Sequence, residues 1–143
     1  MTVGIILKNK GDAVYTVAPD QSMAAAADIL ATHRIGVALV CEGDEVVGVL
    51  SERDIVAAVS ERRERAMAAR VREFMSSPVV TCGPRDRVKD IMGIMNDRRI
   101  RHLPVVEDST VVGMISIGDV IKHRLAETQM ECAVLRDVAL AAR

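Results

Sequence analysis

Gly48-Val49-Leu50-Ser51-Glu52-Arg53-Asp54 recurs 65 positions later as Gly113-Met114-Ile115-Ser116-Ile117-Gly118-Asp119. In each copy a glycine and two apolar residues read as the end of a strand, and S-x-x-D reads as the start of a helix. The serine hydroxyl accepts an early helical N–H, while the acidic side chain three residues on bonds back to the cap. Working outward at the same offset, Val14 falls on Val79, Thr16 on Thr81, Pro19 on Pro84, Ile29 on Ile94, Arg34 on Arg99 and Ile35 on Ile100. Val40/Val105, Val46/Val111 and Val47/Val112 continue the register. Identities that persist without a gap mark an internal duplication. Two copies are fewer than the roughly three a solenoid needs, so a pair of half-domains packed face to face is expected.

Each copy reads alike. A β-rich stretch (14–17; 79–82) runs into a turn at Pro19 or Pro84. Helices follow over Met23–His33 and Val88–Arg98, the first with Ser22 as its N-cap. Met23, Ala26, Ala27 and Leu30 have the i, i+3, i+4, i+7 spacing of a core-facing stripe. Strands are expected over 37–41 and 46–50, and again over 103–106 and 111–115. Polar hairpin turns, Glu42-Gly43-Asp44-Glu45 and Glu107-Asp108-Ser109-Thr110, join them. The fold class is therefore α+β: two β-α-β-β-α repeats related by a pseudo-twofold, plus a long C-terminal helix. The expected boundaries are an N-terminal segment 1–10, repeats at 11–62 and 73–127, a linker 63–72 and a helical extension 128–143.

Charges alternate through Glu61-Arg62-Arg63-Glu64-Arg65-Ala66-Met67-Ala68-Ala69-Arg70, which reads as a solvated helix end and linker, with an arginine surface for an anion or partner as the alternative. Residues 117–143 carry no breaker after Gly118 and read as one helix. On it Ile121, Leu125, Thr128, Cys132, Leu135, Ala139 and Ala142 form a 4-3-4-3 seam that needs a cover. Residues 5–7 of the same chain and a second subunit are both open as that cover.

Composition removes several classes. With 143 residues, a net charge of −1 and 1% aromatics, the chain lacks the basic footprint and stacking rings of a nucleic-acid binder. No apolar run approaches the roughly 20 residues that span a bilayer. The N-terminus lacks the features of a secretory signal. Cys41, Cys82 and Cys132 are an odd, dispersed set that argues against zinc or a disulfide framework and fits a cytoplasmic protein with reduced thiols. No nucleophile–base spacing or phosphate-loop motif occurs, so no enzymatic activity and no required cofactor are expected.

A helix start offers free N–H groups and positive potential to a phosphate. An Asp on the first turn can accept both hydroxyls of a ribose, as acidic residues do in dinucleotide folds. Gly48 and Gly113 would let a ligand approach the strand backbone closely. The same S-x-x-D can also be only a cap.

These duplicated stretches, together with Arg34-Ile35-Gly36-Val37-Ala38-Leu39-Val40 and Arg99-Ile100-Arg101-His102-Leu103-Pro104-Val105-Val106, resemble the CBS domain. More specifically, they resemble the stand-alone tandem pair, or Bateman module, over about residues 11–127. The resemblance implies two clefts for adenosine-containing ligands: AMP, ADP, ATP, NAD(H) or S-adenosylmethionine. It implies ribose held by Ser51/Asp54 and Ser116/Asp119. It assigns the adenine wall at Asp54 to Thr81, Ile100 and His102, and that at Asp119 to Thr16, Ile35 and Val37.

Arg53 supplies a guanidinium where the second copy has Gly118, and Arg101 and His102 stand where the first has Gly36 and Val37. Asymmetric affinity and a preference for anionic nucleotides over the cationic sulfonium of S-adenosylmethionine follow. His33 and His123 read as surface or packing residues. The resemblance implies a sensor that homodimerises through its helices and regulates an unidentified protein. The alternative is a ligand-free structural module for protein–protein interaction.

Overall fold

A computed structural model describes residues 1–11 and 13–143, which form two units: Ala13–Val80, and Met1–Asp12 with Thr81–Arg143. In chain order the first elements are α1 (Val3–Lys10), β1 (Thr16–Val17), α2 (Met23–His33), β2 (Val37–Glu42), β3 (Glu45–Ser51) and α3 (Glu52–Arg62). After two 3-10 segments, Arg63–Ala68 and Val71–Glu73, come α4 (Val88–Arg98), β4 (His102–Glu107), β5 (Thr110–Ser116) and α5 (Ile117–Ala141).

In the first unit the sheet order is β1-β2-β3, with β1 parallel to β2 and β2 antiparallel to β3. The Ser22 hydroxyl accepts the Ala25 N–H at 3.1 Å and starts α2. Met23, Ala26 and Leu30 then turn inward, as their spacing predicts, while Ala27 is only half-buried. They meet Val17, Ala38, Val40 and Leu50 from the sheet. Full burial of an aliphatic side chain of this size stabilises by about 1.5–3 kcal/mol. The helix stops at Arg34, which is left-handed at φ 52°, and the Ile35 N–H bonds back to the Leu30 carbonyl at 3.0 Å.

The second unit repeats these details. Arg99 sits at φ 53° and the Ile100 N–H returns to the Met95 carbonyl at 3.0 Å. Strands β4 and β5 pair as β2 and β3 do, with the same register shift, at Val105/Val106 against Val40/Cys41. Both hairpins turn in two residues. Gly43 takes φ 62°, and Asp108 and Ser109 take φ 48° and 63°, the positive values that suit the twist of a tight hairpin.

Two expectations need correction, and one left open is decided. The first strands are shorter than 14–17 and 79–82. Only Thr16–Val17 is a strand, and its counterpart is a single parallel bridge from Cys82 to Val105. Pro78 and Pro84 bracket that stretch, and proline offers no N–H to a ladder.

The stretch after α3 is more than a solvated connection. Its charged side chains face water, yet Ala66, Ala69 and Val71 are buried in the core of the first unit. Buried alanines three apart match a 3-10 turn, a period hidden by the alternating charges. The Met23 N–H to Ala69 O and Val71 N–H to Gln21 O bonds, 2.8 and 2.9 Å, fasten the stretch to α2.

Finally, the N-terminal segment is a helix docked on the second repeat. Val3 and Ile6 are buried, and the Val3 and Gly4 amides bond to the Asp86 and Pro84 carbonyls at 2.9 and 2.8 Å. Helix α1 lies against β5 and α5 but does not cover the 4-3-4-3 seam: Ile121, Leu125 and Leu135 stay 48%, 59% and 67% exposed. Within α5 only Val120 is buried.

Candidate functional site

Both strand-to-helix junctions are complete capping boxes. The Ser51 N–H and hydroxyl donate to Asp54 Oδ2 at 2.7 and 3.0 Å, and the Asp54 N–H donates to the Ser51 hydroxyl at 3.4 Å. In the second copy the Ser116 N–H donates to Asp119 Oδ2 at 2.8 Å and the Asp119 N–H to the Ser116 hydroxyl at 3.1 Å. Among the described residues, no hydrogen bond falls on Oδ1 of either aspartate. Each carboxylate is half-buried and anchored through one oxygen, so the other can accept from a hydroxyl.

Backbone pairing brings further expected residues to the same place. Val37 lies opposite Ser51 and His102 opposite Ser116. The first amide of each helix closes the corner, Glu52 N–H to Gly36 O at 3.0 Å and Ile117 N–H to Arg101 O at 2.8 Å. Val37 is buried, His102 half-buried and Arg101 exposed, so the second junction is the more polar one. Arg53 is exposed on the first turn of α3. Thr16 is exposed on β1, and Thr81 is exposed just before the Cys82 bridge. Ile35 and Ile100 are half-buried behind the left-handed arginines, and Ile35 lines a shallow groove of about 530 Å³ with Leu30, Arg34 and Ile55. Thr16, Ile35 and Val37 stand in the first unit, and Thr81, Ile100 and His102 in the second.

The two glycines do not hold space for a ligand. A Cβ on Gly48 would come within 2.6 Å of Met75 Sδ and 3.1 Å of the Ser76 carbonyl. One on Gly113 would come within 2.7 Å of a Leu7 methyl. Ser76 bridges Val49 through bonds of 3.0 and 2.9 Å, which lays the chain itself across β3, and α1 does the same over β5.

Sequence reading missed Lys10. Its ammonium donates to Asp119 Oδ2 at 2.5 Å and to the Met114 carbonyl at 2.8 Å. Burial pushes the Asp119 carboxyl up, but the Lys10 bond and the Ser116 N–H and hydroxyl outweigh it and hold the group below its ordinary value. The partners lie 109 residues apart, outside any spacing rule, so only the docking of α1 reveals them. His123, expected at the surface, is half-buried, and its Nε2 is shielded from solvent with no hydrogen-bond partner among the described residues.

Among the described residues no three His, Cys, Asp or Glu side chains gather as a metal site, and no helix is long and apolar enough to cross a membrane.

The CBS domain family model matches residues 11–61 and 71–126. A CBS-domain containing protein from Agrobacterium tumefaciens superposes with a TM-score of 0.84 at 38% identity, over 87% of this chain and 99% of that one. The CBS domain pair of protein MJ0100, solved with 5′-methylthioadenosine and S-adenosyl-L-methionine, gives 0.77 at 25% identity over 89% and 98%. A CBS domain protein from Pyrobaculum aerophilum, complexed with AMP, gives 0.73 at 27% identity over 83% and 89%. With a family match over both copies of the duplicated junction, the chain belongs to the CBS-domain family and carries two CBS domains in tandem.

Proposed function

We propose that this chain is a regulatory module that binds adenine nucleotides at its two S-x-x-D junctions and passes their occupancy to a partner protein. The observation that carries this reading is the pair of aspartates, each tethered through Oδ2 with Oδ1 unbonded among the described residues, beside the amides that open a helix. A vicinal diol fits such a carboxylate. The similar structures that hold AMP, or 5′-methylthioadenosine with S-adenosyl-L-methionine, support adenosine as the common part. In this reading the ring at Asp54 meets Thr81, Ile100 and His102, and the ring at Asp119 meets Thr16, Ile35 and Val37. Arg53 and Arg101 favour anionic nucleotides, AMP, ADP, ATP or NAD(H), over the cationic sulfonium. The module is regulatory rather than catalytic and works in the cytoplasm. It assembles as a homodimer, for which the open face of α5 is the support.

Signalling follows from linkage: a nucleotide shifts the module between two arrangements only by its difference in affinity for them. Calorimetric titration with AMP, ATP, NADH and S-adenosylmethionine tests the reading. Heat is expected from the anionic compounds, reduced in Asp54→Asn and Asp119→Asn, which keep an amide oxygen for the cap but lose the charge. Equal binding in the double variant and the unaltered chain would refute the site.

The completeness of both capping boxes favours a second reading, a scaffold with no ligand. It predicts no heat from any nucleotide, and a loss of about 1 kcal/mol of stability on Asp54→Ala as the sole effect.

A further inference from the structure

Helices α1 and α5 enclose a groove of about 480 Å³ lined by Ile6, Asn9, Lys10, Asp119, Lys122 and His123. We propose that this groove receives the phosphate of an adenine nucleotide whose ribose is held at Asp119, with Lys10 and Lys122 as its cationic ligands. The proposal rests on the nucleotide reading above and deepens it, because it makes the 5′ substituent decide what the second junction accepts.

Two observations point there. The Lys10 ammonium already spans the Asp119 carboxylate and the Met114 carbonyl, with its side chain 34% exposed and lining the groove. A ligand diol on Asp119 therefore arrives beside a fixed positive charge. A phosphate answers that charge. A neutral thioether or a sulfonium at the same position does not.

Next, the same positions of the first repeat are apolar. Lys122 and His123 correspond to Ala57 and Ala58 at the 65-residue offset. Ala58 is fully buried there, in a core against which Phe74 and Met75 pack. Ala57 is exposed, so it is at His123 alone that the second repeat carries a polar group where the first carries packed core.

The test compares AMP with 5′-methylthioadenosine, which share the adenosine and differ at the 5′ position. Asp54→Asn removes the first junction, and calorimetry reads what remains. AMP is expected to bind Asp54→Asn tighter than the thioether by about tenfold or more. Adding Lys10→Met or Lys122→Met should collapse that ratio toward one without weakening the thioether. An unchanged ratio in both lysine variants overturns the proposal while leaving the nucleotide reading intact. So does binding that vanishes in Asp54→Asn but persists in the unaltered chain. If neither compound binds the unaltered chain, the nucleotide reading fails, and the groove's assignment with it.

Discussion

Met75 lies directly on Gly48, its sulfur 2.6 Å from the point a Cβ would occupy, and the Ser76 carbonyl is 3.1 Å from the same point. At Gly113 the closest atoms belong only to the end of the Leu7 side chain. A flexible methyl can swing aside, whereas the Ser76 backbone, whose N–H and carbonyl both bond to Val49, cannot. Gly48→Ala is therefore expected to destabilise by about 1–3 kcal/mol, and Gly113→Ala by less. Urea unfolding of the two variants checks this. Equal losses, or a larger loss at Gly113, would contradict the packing described.

Among the described residues three carboxylates sit below their ordinary values. For Asp20 the Arg72 bond leads, for Glu73 the Arg70 backbone N–H leads with Arg62 behind it, and for Asp119 the donors overcome burial. Because the folded pKa is depressed, their contribution is present above the ordinary values of 3.8 and 4.5 and is lost as pH falls through the folded values. Asp20, Glu73 and their arginine partners are well exposed, so salt should shrink the effect. The urea midpoint should hold steady from neutrality to about pH 5 and then drop. Asp20→Asn with Glu73→Gln should flatten the drop, and a midpoint that rises on acidification would show the sign to be wrong.

Thiol reactivity should separate the three cysteines. Burial, helped by the Asp86 charge, pushes Cys82 up to about 12. Burial also raises the half-buried Cys41, whereas Cys132 is exposed on α5. A thiolate reagent should label Cys41 slowly and Cys82 only on unfolding, and Cys132, which lies in the α5 seam, faster in the Leu125→Glu, Leu135→Glu variant than in the homodimer. Peptide mapping of a time course reads the order, and early modification of Cys82 would be inconsistent with its burial.

Along its 4-3-4-3 seam helix α5 leaves Ile121, Leu125 and Leu135 at 48%, 59% and 67% exposure. In the proposed homodimer this face pairs with a second copy, because a stripe of that extent stays in water only at a cost. Leu125→Glu with Leu135→Glu is expected to convert the dimer to monomer in sedimentation velocity. Each unit should keep its far-ultraviolet spectrum, since neither leucine belongs to a core. A monomeric unaltered chain would remove the dimer from the reading.

Much of the local architecture was legible. The bounds of α2 and α4 and the caps at Ser22, Ser51 and Ser116 follow from short-range rules. A helix period, a capping side chain and a two-residue turn are each decided within a few residues. The 65-residue repeat then ties the two copies to one register. The shortness of the first strands was harder to read, since their pairing depends on the prolines around them and on a partner strand far along the chain.

By itself, the amino-acid order determined that two like units exist, where the helices of each repeat start, and that an aspartate stands at the start of α3 and of α5. Tertiary structure alone decided what those aspartates and glycines touch. Lys10 reaches Asp119, Leu7 covers Gly113 and Met75 covers Gly48 because segments remote in sequence, or of a different helical period, dock there. Local patterns encode backbone geometry residue by residue. Charge pairing and steric contact depend on distance in space, and only the packed chain sets that distance.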